Sequence, residues 1–152
     1  MKDSLVIIPT FNEKENIERI IRKVFSLEKE FDILIVEDNS PDGTAAIVKE
    51  LMKEFPGRLH IEERKGKLGL GTAYIHGFKW AMQREYQYIF EMDADFSHNP
   101  DDLLKLYDAC ARQGADVVFC FLLCTHDHPH EGDGYHRRVQ MLSAQTARNH
   151  RL

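Results

Sequence analysis

Ile33-Leu34-Ile35-Val36-Glu37-Asp38-Asn39-Ser40-Pro41-Asp42-Gly43-Thr44 decides the architecture. Four consecutive apolar residues read as a strand buried on both faces, because a strand with one wet face alternates apolar with polar. Two acids close the strand, and the run from Asn39 to Gly43 turns the chain. From Thr44 the apolar residues recur at helical spacing, as Ile47, Val48, Leu51, Met52 and Phe55, until Pro56-Gly57 stops them. A buried strand running straight into an amphipathic helix is half of a βαβ unit.

The same alternation extends in both directions. Upstream, Leu5-Val6-Ile7-Ile8 is a buried strand ending at Pro9. Asn12 with Glu15 three residues on predicts a capped helix start, and Ile17, Ile20, Ile21, Val24 and Phe25 follow at helical spacing. Downstream, residues 59–63 form a weaker strand with Leu59 and Ile61 on one face. A glycine-rich loop (Gly66, Gly69, Gly71) then leads into a helix over about 72–85. Tyr88-Ile89-Phe90 is a fourth strand, closed by Glu91-Met92-Asp93-Ala94-Asp95. Asn99-Pro100 opens a helix carrying Leu103, Leu104, Tyr107 and Cys110, which Gly114 ends, and residues 117–123 form a fifth strand. This order predicts an α/β fold with a parallel sheet covered by helices on both faces.

A chain of 152 residues suits one domain with a real core, and 43% apolar against 30% charged residues excludes wholesale disorder. The net charge of −5 disfavours a nucleic-acid surface, so no nucleic-acid partner is expected. Three cysteines are too few for a disulfide framework, no apolar run is long enough to cross a bilayer, and no signal peptide is visible, so a cytoplasmic setting is expected. The character changes after Cys124. Residues 1–124 read as the folded domain, and residues 125–152 as a divergent tail holding five of the eight histidines. A helix over about 136–148 would have only a thin apolar face (Val139, Met141, Leu142), and the tail is expected to be poorly ordered. The alternating His126, His128 and His130 match no standard zinc spacing.

In an open parallel sheet, ligands bind beyond the carboxyl ends of the strands. Three such ends carry acids here: Glu13 after strand one, Glu37-Asp38 after strand two, and Asp93-Ala94-Asp95 after strand four. Parallel strands bring these distant segments to one edge. Asp93 and Asp95, two apart, are hard oxygen donors suited to Mg²⁺ or Mn²⁺ shared with substrate phosphates. Asp38 can accept hydrogen bonds from a nucleobase or ribose, or form a turn. Phe11 offers a stacking face. The glycine loop fits neither the Walker pattern nor the dinucleotide fingerprint, but it brings Lys67 and backbone amides to a helix start, a neighbourhood suited to an anion.

Together, Pro9-Thr10-Phe11-Asn12-Glu13, Val36 to Thr44, Lys67-Leu68-Gly69-Leu70-Gly71-Thr72-Ala73-Tyr74 and Met92 to His98 closely resemble the dolichol-phosphate (polyprenol-phosphate) mannosyltransferases, within the family-two inverting glycosyltransferases. The resemblance covers residues 4–118. It implies a Rossmann-like nucleotide-diphospho-sugar transferase fold with a mostly parallel sheet, GDP-mannose as donor, and a dolichyl or polyprenyl phosphate as acceptor. It also implies a catalytic divalent cation and contact with the cytoplasmic face of a membrane. By motif, Pro9, Phe11, Glu13, Val36, Asp38, Asp93 and Ala94 would line the nucleotide pocket. Asp93 and Asp95 would be the catalytic acids, and Asp95, Asp93 and Ser97 the metal site. Phe11 stands where the family usually has Tyr, and Glu37 where it commonly has Asp.

Beyond residue 118 the resemblance stops. Leu122 stands where the family places an arginine facing the donor diphosphate, and the rest of the family domain does not follow. A C-terminally truncated or frameshifted product with weak or no turnover is therefore expected. The alternatives are a non-catalytic nucleotide-binding fragment and a related transferase using a UDP-sugar.

Overall fold

The computed structural model describes residues 3–112, 117–120 and 139–143. Strands β1 (Ser4–Thr10), β2 (Asp32–Glu37), β3 (Leu59–Glu63) and β4 (Tyr88–Glu91) alternate with helices α1 (Ile17–Phe25), α2 (Thr44–Glu54) and α3 (Leu70–Met82). Helix α4 (Asp102–Ala111) and strands β5 (Val117–Cys120) and β6 (Val139–Ser143) follow. The sheet order is β3-β2-β1-β4-β6-β5. The first four strands are mutually parallel, with β1 central between β2 and β4.

The continuous apolar strands are buried on both faces, as their composition requires. Side chains alternate along a strand, so Val6 and Ile8 of β1 join the core with α1, α2 and α4, while Leu5 and Ile7 join the core under α3. Ile33 and Ile35 of β2 divide from Leu34 and Val36 in the same way. Helix α3 lies very close to β1: a Cβ on Gly77 would stand 2.6 Å from Cγ2 of Ile7, which is fully buried. That atom sits on the branched carbon and cannot swing aside. A Gly77→Val substitution is expected to cost about 1–3 kcal/mol through overpacking, read as a lower urea midpoint with an unchanged slope.

Three features differ from the sequence expectation. First, Asn12 does not cap α1. It adopts a left-handed backbone (φ 56), and the helix begins after a turn in which the N–H groups of Asn16 and Ile17 donate to the Glu13 carbonyl. Second, α3 starts at Leu70, ahead of the expected residue 72. Third, residues 139–143 form a strand rather than a helix, inside the segment expected to be poorly ordered. β6 inserts antiparallel between β4 and β5, so the expected neighbours of a five-stranded parallel sheet are not adjacent. A strand is held in a sheet by its backbone ladder and does not need the wide apolar stripe that a helix needs. The rest of the tail, with Leu122, Cys124, the histidine run and Gly114, lies outside the described residues. Among those described, no helix is long and apolar enough to cross a membrane.

Candidate functional site

The carboxyl ends of β1 to β4 share one edge, and the loops leaving them meet there. The β2–α2 turn grips the loop after β1. Ser40 Oγ accepts the Asn12 N–H at 3.0 Å, Thr44 Oγ1 the Glu13 N–H at 3.1 Å, and Asp42 Oδ2 the Lys14 N–H at 3.0 Å. The turn is itself braced by Glu37, whose buried carboxylate accepts the N–H groups of Asn39 and Ser40, each at 2.8 Å. Glu37 is thereby spent on the backbone. The Ser-Pro-Asp-Gly stretch acts as the turn its composition predicts, and its reach across to residues 12–14 fixes the β1 loop that carries Phe11 and Glu13.

Asp38 has a partner that sequence reasoning missed. Arg64 donates Nε to Oδ1 and Nη2 to Oδ2, both at 2.6 Å. The two side chains are only 7% and 8% exposed. Arg64 also donates to Thr72 Oγ1 at 2.8 Å, which ties the ends of β2 and β3 to the start of α3. The parallel register explains the pair: Glu37 lies opposite Glu63, so the next residues on each strand, 38 and 64, emerge side by side. Once β2 and β3 are known to be neighbours, that register identifies Arg64. The strand order is what the sequence did not reveal.

Asp93 accepts the Tyr74 hydroxyl at 3.1 Å. Burial, with the Asp93 and Glu91 charges behind it, pushes the Tyr74 phenol well above its ordinary range, so it remains a donor. Tyr74 closes the Lys67–Tyr74 motif, and α3 delivers it to the acids. Asp95 Oδ1 accepts the Ser97 N–H at 2.9 Å, which folds the chain so that Phe96 takes a left-handed backbone (φ 58). An aromatic side chain rarely tolerates that conformation. The Arg19 guanidinium stands 5.1 Å over the Phe96 ring. A cavity of about 600 Å³, lined by Arg19, Lys23, Phe96, Ser97 and His98 among others, opens beside this loop and does not include the acids.

The acids converge electrostatically. Burial raises the Glu13 carboxyl pKa and the Asn16 amide lowers it, while the charges of Asp95, Asp42 and Asp93 add to the rise. Glu91, buried at the end of β4, is pushed up to about 7 by burial and then by Asp93. Phe11, half-buried, carries the Lys67 ammonium 4.9 Å above its ring, so the glycine loop arches to the β1 end. Pro9 is half-buried opposite Val36 in the ladder. Val36 and Ala94 are inside: Val36 is fully buried beneath α3, and Ala94 is 3% exposed against the other core. The edge therefore presents Phe11, Glu13, Asp93, Asp95 and Ser97, with Asp38 just below the surface. Thr10 adds a buried hydroxyl with no partner among the described residues.

Glu91 yields a pH signature. Its folded pKa lies above the unfolded value near 4.5. Between about 4.5 and 7 the folded state holds the extra proton, so this group's contribution to stability falls as pH rises and levels off above 7. The span corresponds to roughly 3 kcal/mol. Without divalent ions, Glu91→Gln is expected to stabilise the chain above pH 7 and leave it nearly unchanged at pH 4.5. Denaturation midpoints across that range check both ends.

The donor set suits a hard cation: two carboxylates at one strand end, with Glu13 raised in part by their charges. Among the described residues no group of three or more His, Cys, Asp or Glu side chains is placed to hold a metal alone. The remaining ligands would then come from elsewhere, as Mg²⁺ sites commonly draw them from phosphates and water.

Comparison with known proteins gives a consistent picture. A family model described as Glycosyl transferase family 2 matches residues 5–151. The chain is 47% identical over 115 residues to the polyprenol monophosphomannose synthase of Mycolicibacterium smegmatis, covering 76% of this chain and 43% of that one. It is 43% identical over 114 residues to the undecaprenyl-phosphate mannosyltransferase of Micrococcus luteus, covering 75% and 46%. The chain thus spans less than half the length of these curated relatives. Among solved structures, it resembles the Pyrobaculum calidifontis mannosyltransferase PcManGT, determined with GDP-Man and Mn²⁺. That match has a TM-score of 0.65 and 21% identity, over 76% of this chain and 34% of that one. Staphylococcus aureus TarS aligns with TM-score 0.72 and 18% identity, over 98% and 49%. At such identities the structural matches speak to the fold.

Proposed function

The chain belongs to glycosyl transferase family 2, and from that premise we propose that it is the donor-binding part of an inverting mannosyltransferase. The donor is GDP-mannose and the acceptor a dolichyl or polyprenyl phosphate at the cytoplasmic face of a membrane. The observation that carries this reading is the meeting of Phe11, Glu13, Asp93 and Asp95 at one sheet edge, with Lys67 arched over Phe11. The names of the relatives support the acceptor and the sugar.

Phe11 offers a face to guanine. Asp38, held by Arg64 in a fixed orientation, and the Thr10 hydroxyl would meet the nucleoside. Asp93 and Asp95, with Ser97 beside them, would hold Mg²⁺ or Mn²⁺, which supplies Lewis-acid stabilisation of the departing diphosphate. The acceptor phosphate is already an anion, so the protein needs alignment more than a strong base. A phosphate oxygen bonds to the anomeric carbon as the bond to the GDP oxygen breaks. That electron pair leaves with GDP, and a single displacement inverts the centre.

Titration calorimetry of this chain tests the binding half. GDP with Mn²⁺ is expected to give saturable heat, and UDP to compete at least about tenfold more weakly, a gap of roughly 1.4 kcal/mol. Tighter binding of UDP would favour the related transferases that use UDP-sugars. No heat from either nucleotide would overturn the nucleotide assignment.

A further inference from the structure

A carboxylate beyond a strand end is a poor ligand until something fixes its orientation, because the terminal torsion of an aspartate is broad. Asp93 lies past Glu91, the last residue of β4 in the ladder with β1. The side chain that meets it is Tyr74, whose hydroxyl donates to Asp93 Oδ1 at 3.1 Å. A phenol keeps its proton near neutral pH, so it donates to the carboxylate throughout. The bond is at the long end for O–H···O, and its value is direction rather than strength. Among the described residues nothing donates to Asp93 Oδ2.

The tyrosine is itself firmly mounted. Its ring packs against the core under α3. On the same helix face, three residues on, Gly77 brings α3 down onto Ile7. Ile7 is also the ladder partner of Glu91, and its carbonyl accepts the Met92 N–H at 3.1 Å. One residue of β1 therefore sets both the height of α3 and the point where the chain leaves for Asp93. Helix α3 joins two parallel strands, so it starts at their carboxyl edge, and Tyr74 near its start reaches the acids. Thr72, in the first turn, receives Arg64, which also binds Asp38. The start of α3 is thus a strut between Asp38 on one side and Asp93 on the other.

We propose that Tyr74 is a positioning residue: from α3 it fixes the Asp93 carboxylate in an orientation that offers Oδ2 to a divalent cation. This role deepens the reading of Asp93 and Asp95 as metal ligands and rests on it. Asp95 is steered in a comparable way by the Ser97 N–H. A donor oriented in advance loses little torsional freedom when the cation arrives, and the partners that orient metal ligands matter about 10–100-fold in affinity.

Tyr74→Phe tests this, because it removes the hydroxyl and keeps the ring in the core. Mn²⁺ binding to the GDP-saturated chain, followed by the paramagnetic resonance signal of free Mn²⁺, is expected to weaken about tenfold in the variant. GDP affinity without metal and the melting temperature should both stay at the wild-type value. That split separates positioning from support of the fold, which would move all three. Mn²⁺ binding of wild-type strength in Tyr74→Phe overturns the proposal. So does an equal fall in GDP affinity with and without metal, because the hydroxyl would then serve the nucleotide or the fold rather than Asp93. A wild-type chain whose GDP complex takes up no Mn²⁺ fails at an earlier step: it sinks the metal assignment of Asp93 itself, and the positioning role with it.

Discussion

An Arg64→Met variant is expected to lose about 3–5 kcal/mol of folding stability, the largest single-residue effect anticipated for this chain. Arg64 makes two 2.6 Å bonds to the Asp38 carboxylate, and both side chains are almost wholly out of water. Removing the guanidinium leaves a buried carboxylate with no counter-charge, and it frees the start of α3, which Arg64 holds through Thr72. The cost arises mainly from the stranded charge rather than from the attraction lost. The double variant Arg64→Met with Asp38→Leu should therefore recover most of the stability, since replacing a buried pair by apolar groups of similar size is often near neutral. Urea denaturation of the two variants separates these contributions. An Arg64→Met protein within about 1 kcal/mol of wild type would place the pair among surface ion pairs of little weight. The double variant should also bind GDP more weakly, because Asp38 is one of the polar groups proposed to meet the nucleoside.

The second large effect concerns Asp95. Its carboxylate has two separable duties: it accepts the Ser97 N–H, which holds Phe96 in a left-handed backbone, and it lies in the acidic field felt by Glu13. Asp95→Asn keeps an acceptor for the turn and removes the charge, whereas Asp95→Ala removes both. If Asp95 holds the divalent cation, both variants should bind GDP with little or no enhancement by Mn²⁺. The loss should be at least the roughly 10–100-fold that disturbing even an outer partner of a metal site costs. Only the alanine variant should also lose thermal stability, because only there is the Phe96 conformation left unsupported. Calorimetry with and without Mn²⁺ reads the first effect and a melting curve the second. Mn²⁺ enhancement of wild-type size in Asp95→Asn would remove Asp95 from the metal site.

Much of the element sequence was legible because the strands are short, continuous and apolar, and the helices carry a clear stripe. Ile33 to Val36 admits no half-exposed reading, and Thr44 begins its helix where the turn residues end. The start of α1 was misread because Asn12 looks like a cap locally, yet its N–H is claimed by Ser40, 28 residues away. The convergence of Glu13, Asp93 and Asp95 followed from topology alone, since parallel strands send all their carboxyl ends to one edge. Val36 and Ala94 were assigned by motif, and the structure puts their side chains in the core, so only the backbone beside them could meet a nucleotide.

The sequence by itself determined the alternation of strands and helices, the edge at which the acids gather, and the family. These depend on local periodicity and on motifs read along the chain. Tertiary structure decided which strands are neighbours, and with that the Asp38–Arg64 pair, the delivery of Tyr74 to Asp93, and the insertion of β6 between β4 and β5. The physical reason is that hydrogen bonds between strands are indifferent to sequence distance. Period-two patterning says which face a residue takes, but only the packed sheet says what lies beside it.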